Sequence, residues 1–302
     1  MTADLTFIER SFDKAIINVL REPTVGYKLM PLNSDFKGLG KETIEHFNYS
    51  ARGAAKTAFG FDRTGYDTVD AQGTILKVPI LQTSVKIPRR TFEAIVNNGV
   101  PLSNDLAFDM VRAINAQVDA LVINGYSLDD TNYDIKGMTQ VAGTSVTGTT
   151  VQTFGNTYKA IQKAISALIL AGIDAPAYNC VMNPAQAGSL KGSLNANSGN
   201  PEMDMVDMAL NPNGGNVGQF FQKSDMPTGY MTVTPAAVET SKAFFDLIET
   251  VPPTNHAWYD QGNVETGDVW VEQFTCLTPR FKHITSNGSG TDAAIAYVTT
   301  MA

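Results

Sequence analysis

Between Ser103 and Gly125 the chain carries one uninterrupted helical signal. Ala107, Met110, Val111, Ile114, Val118, Leu121 and Val122 recur at three- and four-residue spacing, with Asp109, Arg112, Asn115 and Asp119 between them. That spacing gathers the apolar groups on one stripe of a helix and sets the polar ones opposite. Ser103, Asn104 and Asp105 are all good N-cap residues, and Asn124-Gly125 is a strong stop. A helix over 105–124 is therefore expected to be a structural spine, around which the rest of the chain has to be arranged.

The segments before it are of another kind. From Gly38 to Gly73, helical periodicity is absent. Gly38, Gly40, Gly53, Gly60, Gly65 and Gly73 alternate with Phe47, Tyr49, Phe59, Phe61 and Tyr66. Extended pieces at 43–49 and 74–81 flank this stretch, as in a long two-stranded excursion with a Gly-rich tip. A lone hairpin is marginal in water, so this one needs something to lie on, and its aromatics suggest protein. A strand over 84–88 and a short helix over 90–96 lead into the spine. Upstream, Leu5, Ile8, Phe12, Ile16 and Val19 predict an amphipathic helix closed by Pro23, packing on its own subunit, on a neighbour or on a cargo.

Beyond the spine, a Thr/Gly/Val-rich connector at 141–150 leads to a second α/β region. Tyr158, Ile161, Ile165, Leu168 and Ile169 predict a helix over 154–171 ending at Gly172. A short buried strand is expected at 178–182, and Asn183-Pro184 should open a helix through Leu190. Glu202 to Leu210 reads as a half-exposed helix with soft methionine packing. Further strands are expected at 230–234, 244–248, 269–277 and 293–299. The class is α+β.

Charge narrows the function. Only 17% of the 302 residues are charged, against about 25% in ordinary soluble domains. Subunit interfaces are depleted in Lys, Glu and Asp, so the deficit suggests a surface that faces protein. The net charge is -8, and no basic run offers phosphates a grip. Cys180 and Cys276 form no paired motif. The start, Met1-Thr2-Ala3-Asp4, shows no secretory signal, and the apolar stretch at 164–173 is too short to cross a bilayer. Cytoplasmic synthesis without membrane attachment is expected.

The search for chemistry yields little. His46, His256 and His283 have no metal-ligand spacing. Asp130-x-Asn132-x-Asp134 opens like a calcium loop, but Ile135 stands where the turn glycine belongs and Val141 where the closing glutamate belongs. Glu202, Asp204 and Asp207 lack a basic or histidine partner to separate their pKa values. Gly214-Gly215-Asn216-Val217-Gly218 lacks the lysine and Ser/Thr of a phosphate loop. No catalytic residue, metal ligand or cofactor site is expected.

The order of elements nevertheless resembles a known family. A strand like Val85–Pro88 leads into Arg90-Thr91-Phe92-Glu93-Ala94, and then into a spine helix ending at Gly125. A glycine turn like Lys136-Gly137-Met138 follows, and later a strand-to-helix step like Val181-Met182-Asn183-Pro184-Ala185-Gln186. This layout resembles the Hong Kong 97-like major capsid proteins of tailed viruses, a fold shared with encapsulins. The resemblance implies an N-terminal arm at 1–43, an extended E-loop hairpin at 44–82, a peripheral domain at 83–140 plus 255–302, and an inserted axial domain at 141–254. It implies a non-enzymatic subunit that self-assembles through hexamers and pentamers into an icosahedral shell. The shell would enclose a DNA genome without sequence-specific binding, in a virion capsid, with scaffold, portal or decoration proteins as further partners. In that picture Phe59, Phe61, Arg63, Tyr66 and Lys77 of the hairpin make inter-subunit contacts. Two other readings stay open at this point: an encapsulin-type shell around a protein cargo, and a soluble hydrolase or binding protein.

Overall fold

The structure is a computed structural model that describes residues 24–38, 41–49, 71–97, 104–127, 135–141, 143–147, 154–192, 194, 201–215, 217–236, 244–260, 267–282, 284–285, 291–292 and 295–299. It is mixed α and β. A short helix α1 (Val25–Leu29) precedes β1 (Leu32–Asn33), and β2 (Thr43–Tyr49) with β3 (Ala71–Lys77) forms a hairpin. Next come β4 (Ile80–Ile87), α2 (Arg89–Asn97) and the spine α3 (Asn104–Asn124). β5 (Thr144–Thr147), α4 (Asn156–Leu170), β6 (Tyr178–Met182), α5 (Pro184–Gly192) and α6 (Glu202–Leu210) follow. The remaining larger strands are β7 (Phe220–Gln222), β8 (Tyr230–Pro235), β9 (Phe245–Tyr259) and β10 (Val269–Phe281). After β11 (Ile284–Thr285) and β12 (Thr291–Asp292), β13 (Ala296–Thr299) completes the series.

Two sheets carry the body. One has the order β1-β9-β10-β4, antiparallel except for the β1–β9 pair. The spine packs on it, so Met110 joins Ile87, Phe92, Tyr259, Val269 and Val271 in one apolar cluster. The other sheet has the order β5-β13-β8-β6-β7. All five residues of β6 are buried, as the short apolar run at 178–182 predicts. The spine residues Val118, Leu121 and Val122 belong to the same core as Val181 and Val233 of this second sheet and Phe245 and Leu277 of the first. One helix thus contributes both to the cluster under the first sheet and to the larger core that the two sheets share.

The spine ends as expected and is then locked. Gly125 has φ +68°, a conformation that favours glycine. The chain returns across it: a Cβ on Gly125 would lie 2.2 Å from the Ile135 carbonyl oxygen, and one on Gly137 would lie 2.2 Å from the Gly125 nitrogen. Tyr126 and Ile135 exchange backbone hydrogen bonds, and the Met138 amide donates to the Val122 carbonyl at 2.8 Å. Only a pair of glycines lets the two backbones cross this closely.

Several sequence expectations need correction. The strand expected at 74–81 is broken at Val78-Pro79 into β3 and β4, because proline supplies no amide to a ladder. The strand expected at 84–88 accordingly starts earlier, at Ile80. The strand expected at 244–248 runs to Tyr259, because Pro252 and Pro253 fall where the β9–β10 register shifts. The connector at 141–150 contains β5, and β7 was not foreseen. The dividing line drawn at 254/255 falls inside β9, and β13 joins the sheet of β5 to β8. The spine's polar face is also less wet than its pattern suggests: Asp109 and Arg112 are exposed, but Asn115 and Asp119 are buried. The amphipathic helix expected at 5–19 lies outside the described residues.

Candidate assembly surface

Buried polar ties fix how the elements meet, and so which surfaces face outward. Asp119 of the spine accepts the Gly26 amide at 2.6 Å and pairs with Lys223 beyond β7. Gly26 has to be small: a Cβ there would meet Asp119, Val118 and Val122 at 3.2–3.3 Å. Asp246 at the start of β9 accepts from Arg280 Nε at 2.7 Å, from a second Arg280 nitrogen, and from Asn33 Nδ2 at 2.9 Å, with Lys282 at 3.5 Å. Burial alone would raise its pKa, but these donors and the two cations outweigh burial and hold it below the usual carboxylate range. The Arg280 guanidinium also sits 5.5 Å over the Phe36 ring. Glu249, three residues along β9, is pushed upward by burial, which the nearby Lys37 only partly offsets.

Glu202 is a further tie. It is fully buried, and its Oε1 accepts the amides of Thr157 at 3.0 Å and Tyr158 at 3.2 Å, satisfying the open first turn of α4. The cluster Glu202, Asp204 and Asp207 thus splits into a structural cap and two helix-surface acids. Burial, then Asp204, raises Asp207. Nothing in the sequence around Glu202 announces that helix α6 stands against the start of α4.

The outward-facing surfaces are apolar in an organised way. On the far side of the first sheet from the spine, His256, Trp258, Trp270 and Lys86 form a row. His256 stacks on Trp258 with ring centres 5.4 Å apart, Trp258 on Trp270 at 6.4 Å, and the Lys86 ammonium lies 5.6 Å from the Trp270 ring. Asp260 and Asp268 hold that ammonium at 3.3 and 3.0 Å. Both tryptophans of the chain stand here, half-exposed. At the sheet margin Ile80 is 62% exposed. The hairpin pairs Thr43 with Lys77 through Tyr49 with Ala71 and forms a sheet of its own, and its Ile75 is 69% exposed.

The expected contact residues Phe59, Phe61, Arg63 and Tyr66 lie outside the described residues. Lys77 is exposed at the hairpin base, where its carrying strand turns toward β4. Among the histidines, His46 lies on β2, His256 joins the aromatic row, and His283 is outside the described residues, as is the Asp130–Asp134 loop. Among the described residues no group of three or more His, Cys, Asp or Glu could hold a metal, and no helix is long and apolar enough to cross a membrane. Cys180 and Cys276 are buried thiols, and burial pushes both pKa values up. An open cavity of about 730 Å³ lies between the spine's C-terminal turn and the second sheet, with Asn124, Gln140, Ser145, Tyr230 and Thr232 on its walls. No charged side chain is among its described lining.

Comparison with known proteins places this arrangement. A family model described as phage capsid protein matches residues 91–294, more than half of the chain. No curated protein matches it. Among solved structures, the virus-like particle from Pyrococcus furiosus is similar with a TM-score of 0.63 at 10% identity, covering 96% of this chain and 98% of that one. The capsid of Myoviridae Phage XM1 gives 0.62 at 14% identity, with 92% and 90% covered. The capsid of a native GTA particle gives 0.59 at 12% identity, again with 92% and 90% covered. At these identities the structures speak for the fold, and the family model speaks for the family. The chain belongs to the phage capsid protein family, as a viral major capsid protein with the Hong Kong 97-like fold.

Proposed function

We propose that copies of this subunit assemble through hexamers and pentamers into a closed icosahedral shell that encloses DNA without reading its sequence. The observation that carries this reading is the hairpin β2–β3: it forms a separate two-stranded sheet, anchored on its own subunit at Ile44 but with Ile75 exposed, and a two-stranded sheet is marginal without further packing. The charge deficit and the half-exposed aromatic row support the same conclusion. The net charge of -8, with no basic run, gives phosphates no grip, which supports surrounding DNA over binding it.

Within that reading the spine and the first sheet form a peripheral domain, and the second sheet with α4 to α6 forms an axial domain to which β13 also belongs. Residues 1–43 act as the arm and 44–82 as the E-loop, with Phe59, Phe61, Arg63, Tyr66 and Lys77 as contacts to neighbours. The subunit is synthesised in the host cytoplasm, carries out no catalysis, and meets scaffold, portal or decoration proteins in the virion.

Negative-stain electron microscopy of the purified chain, with and without nuclease treatment, tests this. Uniform closed shells with nuclease-protected DNA are the expected result. Shells filled with a co-purifying protein would redirect the reading toward a cargo compartment, and a monodisperse small particle under assembly conditions would end it.

A further inference from the structure

The second sheet is closed over at β6 but not toward its other margin, where β5, β13 and β8 turn two unlike faces. Met231, Val233 and Val298 are fully buried in the core, with Val146 packed against it. The alternate positions carry hydroxyls. Tyr230 stands opposite Thr299, and position 297 stands opposite both Thr232 and Ser145, so these residues share the other face. That face lines the cavity of about 730 Å³, and the end of the spine supplies a further wall with Asn124, Thr139 and Gln140.

The fold itself holds that wall in place. The Asn124 side-chain amide donates to the Asp225 carbonyl at 2.8 Å, and the Thr139 hydroxyl donates to the Ile123 carbonyl at 3.0 Å. Gln140 Oε1 accepts the Gly137 amide at 3.2 Å. β5 is pinned where the Thr144 amide donates to the Ile295 carbonyl at 2.9 Å. What remains unused is the Gln140 side-chain nitrogen and the hydroxyls of Ser145, Tyr230 and Thr232, which find no partner among the described residues. Thr232 is 1% exposed, so its hydroxyl is withdrawn from water with no protein group in exchange.

These features select the kind of molecule that fits. With no charged side chain in the described lining, an ion would give up its hydration for no counter-charge. An apolar molecule would strand the unused donors and acceptors. A peptide that adds to a sheet reads a strand edge, but β8 and β13 are each paired on both sides, so they offer side chains in place of a ladder. A small uncharged molecule with several hydroxyls meets all three conditions, and the volume lies in the range that small ligands occupy. Tyr230, 46% exposed at the rim, adds an aromatic ring against which the C–H face of a sugar can lie. We propose that this cavity binds a neutral saccharide, free or at the end of a glycan, with Gln140, Ser145 and Tyr230 in contact and Thr232 closing the floor. Such binding needs no neighbouring copy and stands apart from shell building.

Saturation-transfer difference NMR of the full chain tests the site, with maltose, lactose and chitobiose as neutral probes and glucose 6-phosphate and glucosamine as charged controls. An immobilised array of neutral and acidic glycans presents the attached form, so the arm that responds separates a free sugar from a glycan end. A neutral probe or neutral glycan should bind, and the charged ones should not. Tyr230→Ala and Ser145→Ala should each weaken binding roughly three- to tenfold, the order of one aromatic or hydrogen-bonded contact. Thr232→Val replaces the unpaired hydroxyl with a methyl of similar shape, so it should melt at or above the wild-type temperature, and it serves as the second variant should Tyr230→Ala lose its circular dichroism spectrum. Charged controls that bind as well as neutral probes, binding that survives Tyr230→Ala and Ser145→Ala in folded protein, a Thr232→Val chain that melts below wild type, or silence in both arms overturns the site and leaves the shell reading intact.

Discussion

The two sheets keep water out of the core by different means. The first lays one face on the spine and leaves the other half-wet, so its strands alternate along much of their length and its outer face carries the aromatic row. The second is closed over at its centre: β6 is buried throughout, and five of the six residues of β8 are buried. A sheet with one face to solvent has a surface to offer a partner, whereas a sheet buried on both faces can serve only as a core. Asp246 with Arg280 sits in the first sheet, whereas the polar side chains buried in β6 and β8 are the neutral Asn179, Thr232 and Thr234.

The largest test of this contrast is Asp246→Ala. It strands the buried Arg280 and should cost roughly 3–5 kcal/mol in denaturant unfolding. The same anchor has a pH signature. Because the native pKa is lowered, its stabilisation is present above the ordinary aspartate value of about 3.9 and disappears as pH falls through the native value. An acid limb unchanged in Asp246→Asn would remove the anchor from the account. Next in size is Leu168→Ala, on the dry side, where a fully buried side chain against the second sheet should cost about 3 kcal/mol. Trp258→Ala, on the half-wet face, should cost about 1 kcal/mol in the isolated subunit, the order of one aromatic pair. A loss there as large as at Leu168 would mean that the face is core and not surface. Smallest is Glu249→Gln. Its raised pKa means that the neutral form contributes below the ordinary glutamate value and that this contribution is lost as pH rises through the native one, so ionised Glu249 is a burden at neutral pH. The amide should gain up to about 1 kcal/mol at pH 7 and nothing at low pH, measured as paired melting curves.

How far the sequence could be read follows the same division. The spine, α4, α6 and β6 were legible because each buries a stripe or a run long enough to set its own period. The second half of β9 was not, because Pro252-Pro253 reads as a terminator and only the register shift opposite Phe274 and Cys276 reveals how the strand absorbs it. β5 and β7 have four and three residues, too few to show alternation. Asp119 was assigned to the wet face because periodicity cannot see that the Gly26 amide and Lys223 would be waiting for it. Of the assembly surface, the hairpin could be read from glycines and aromatics, whereas the aromatic row sets residues of the consecutive strands β9 and β10 beside Lys86 of the distant strand β4.

The crossing of Gly125 over Gly137 has a consequence for engineering. Because the backbones are clasped there and bridged between Tyr126 and Ile135, the chain between those two residues is closed at its root, whatever its length. Added length in such a closed loop costs only the slowly growing entropy of a longer chain, about 0.6 kcal/mol for each doubling. A foreign epitope or reporter peptide spliced between Tyr126 and Ile135 would therefore leave the spine, its stop and both sheets as they are, and each copy in a shell would carry it at the same place.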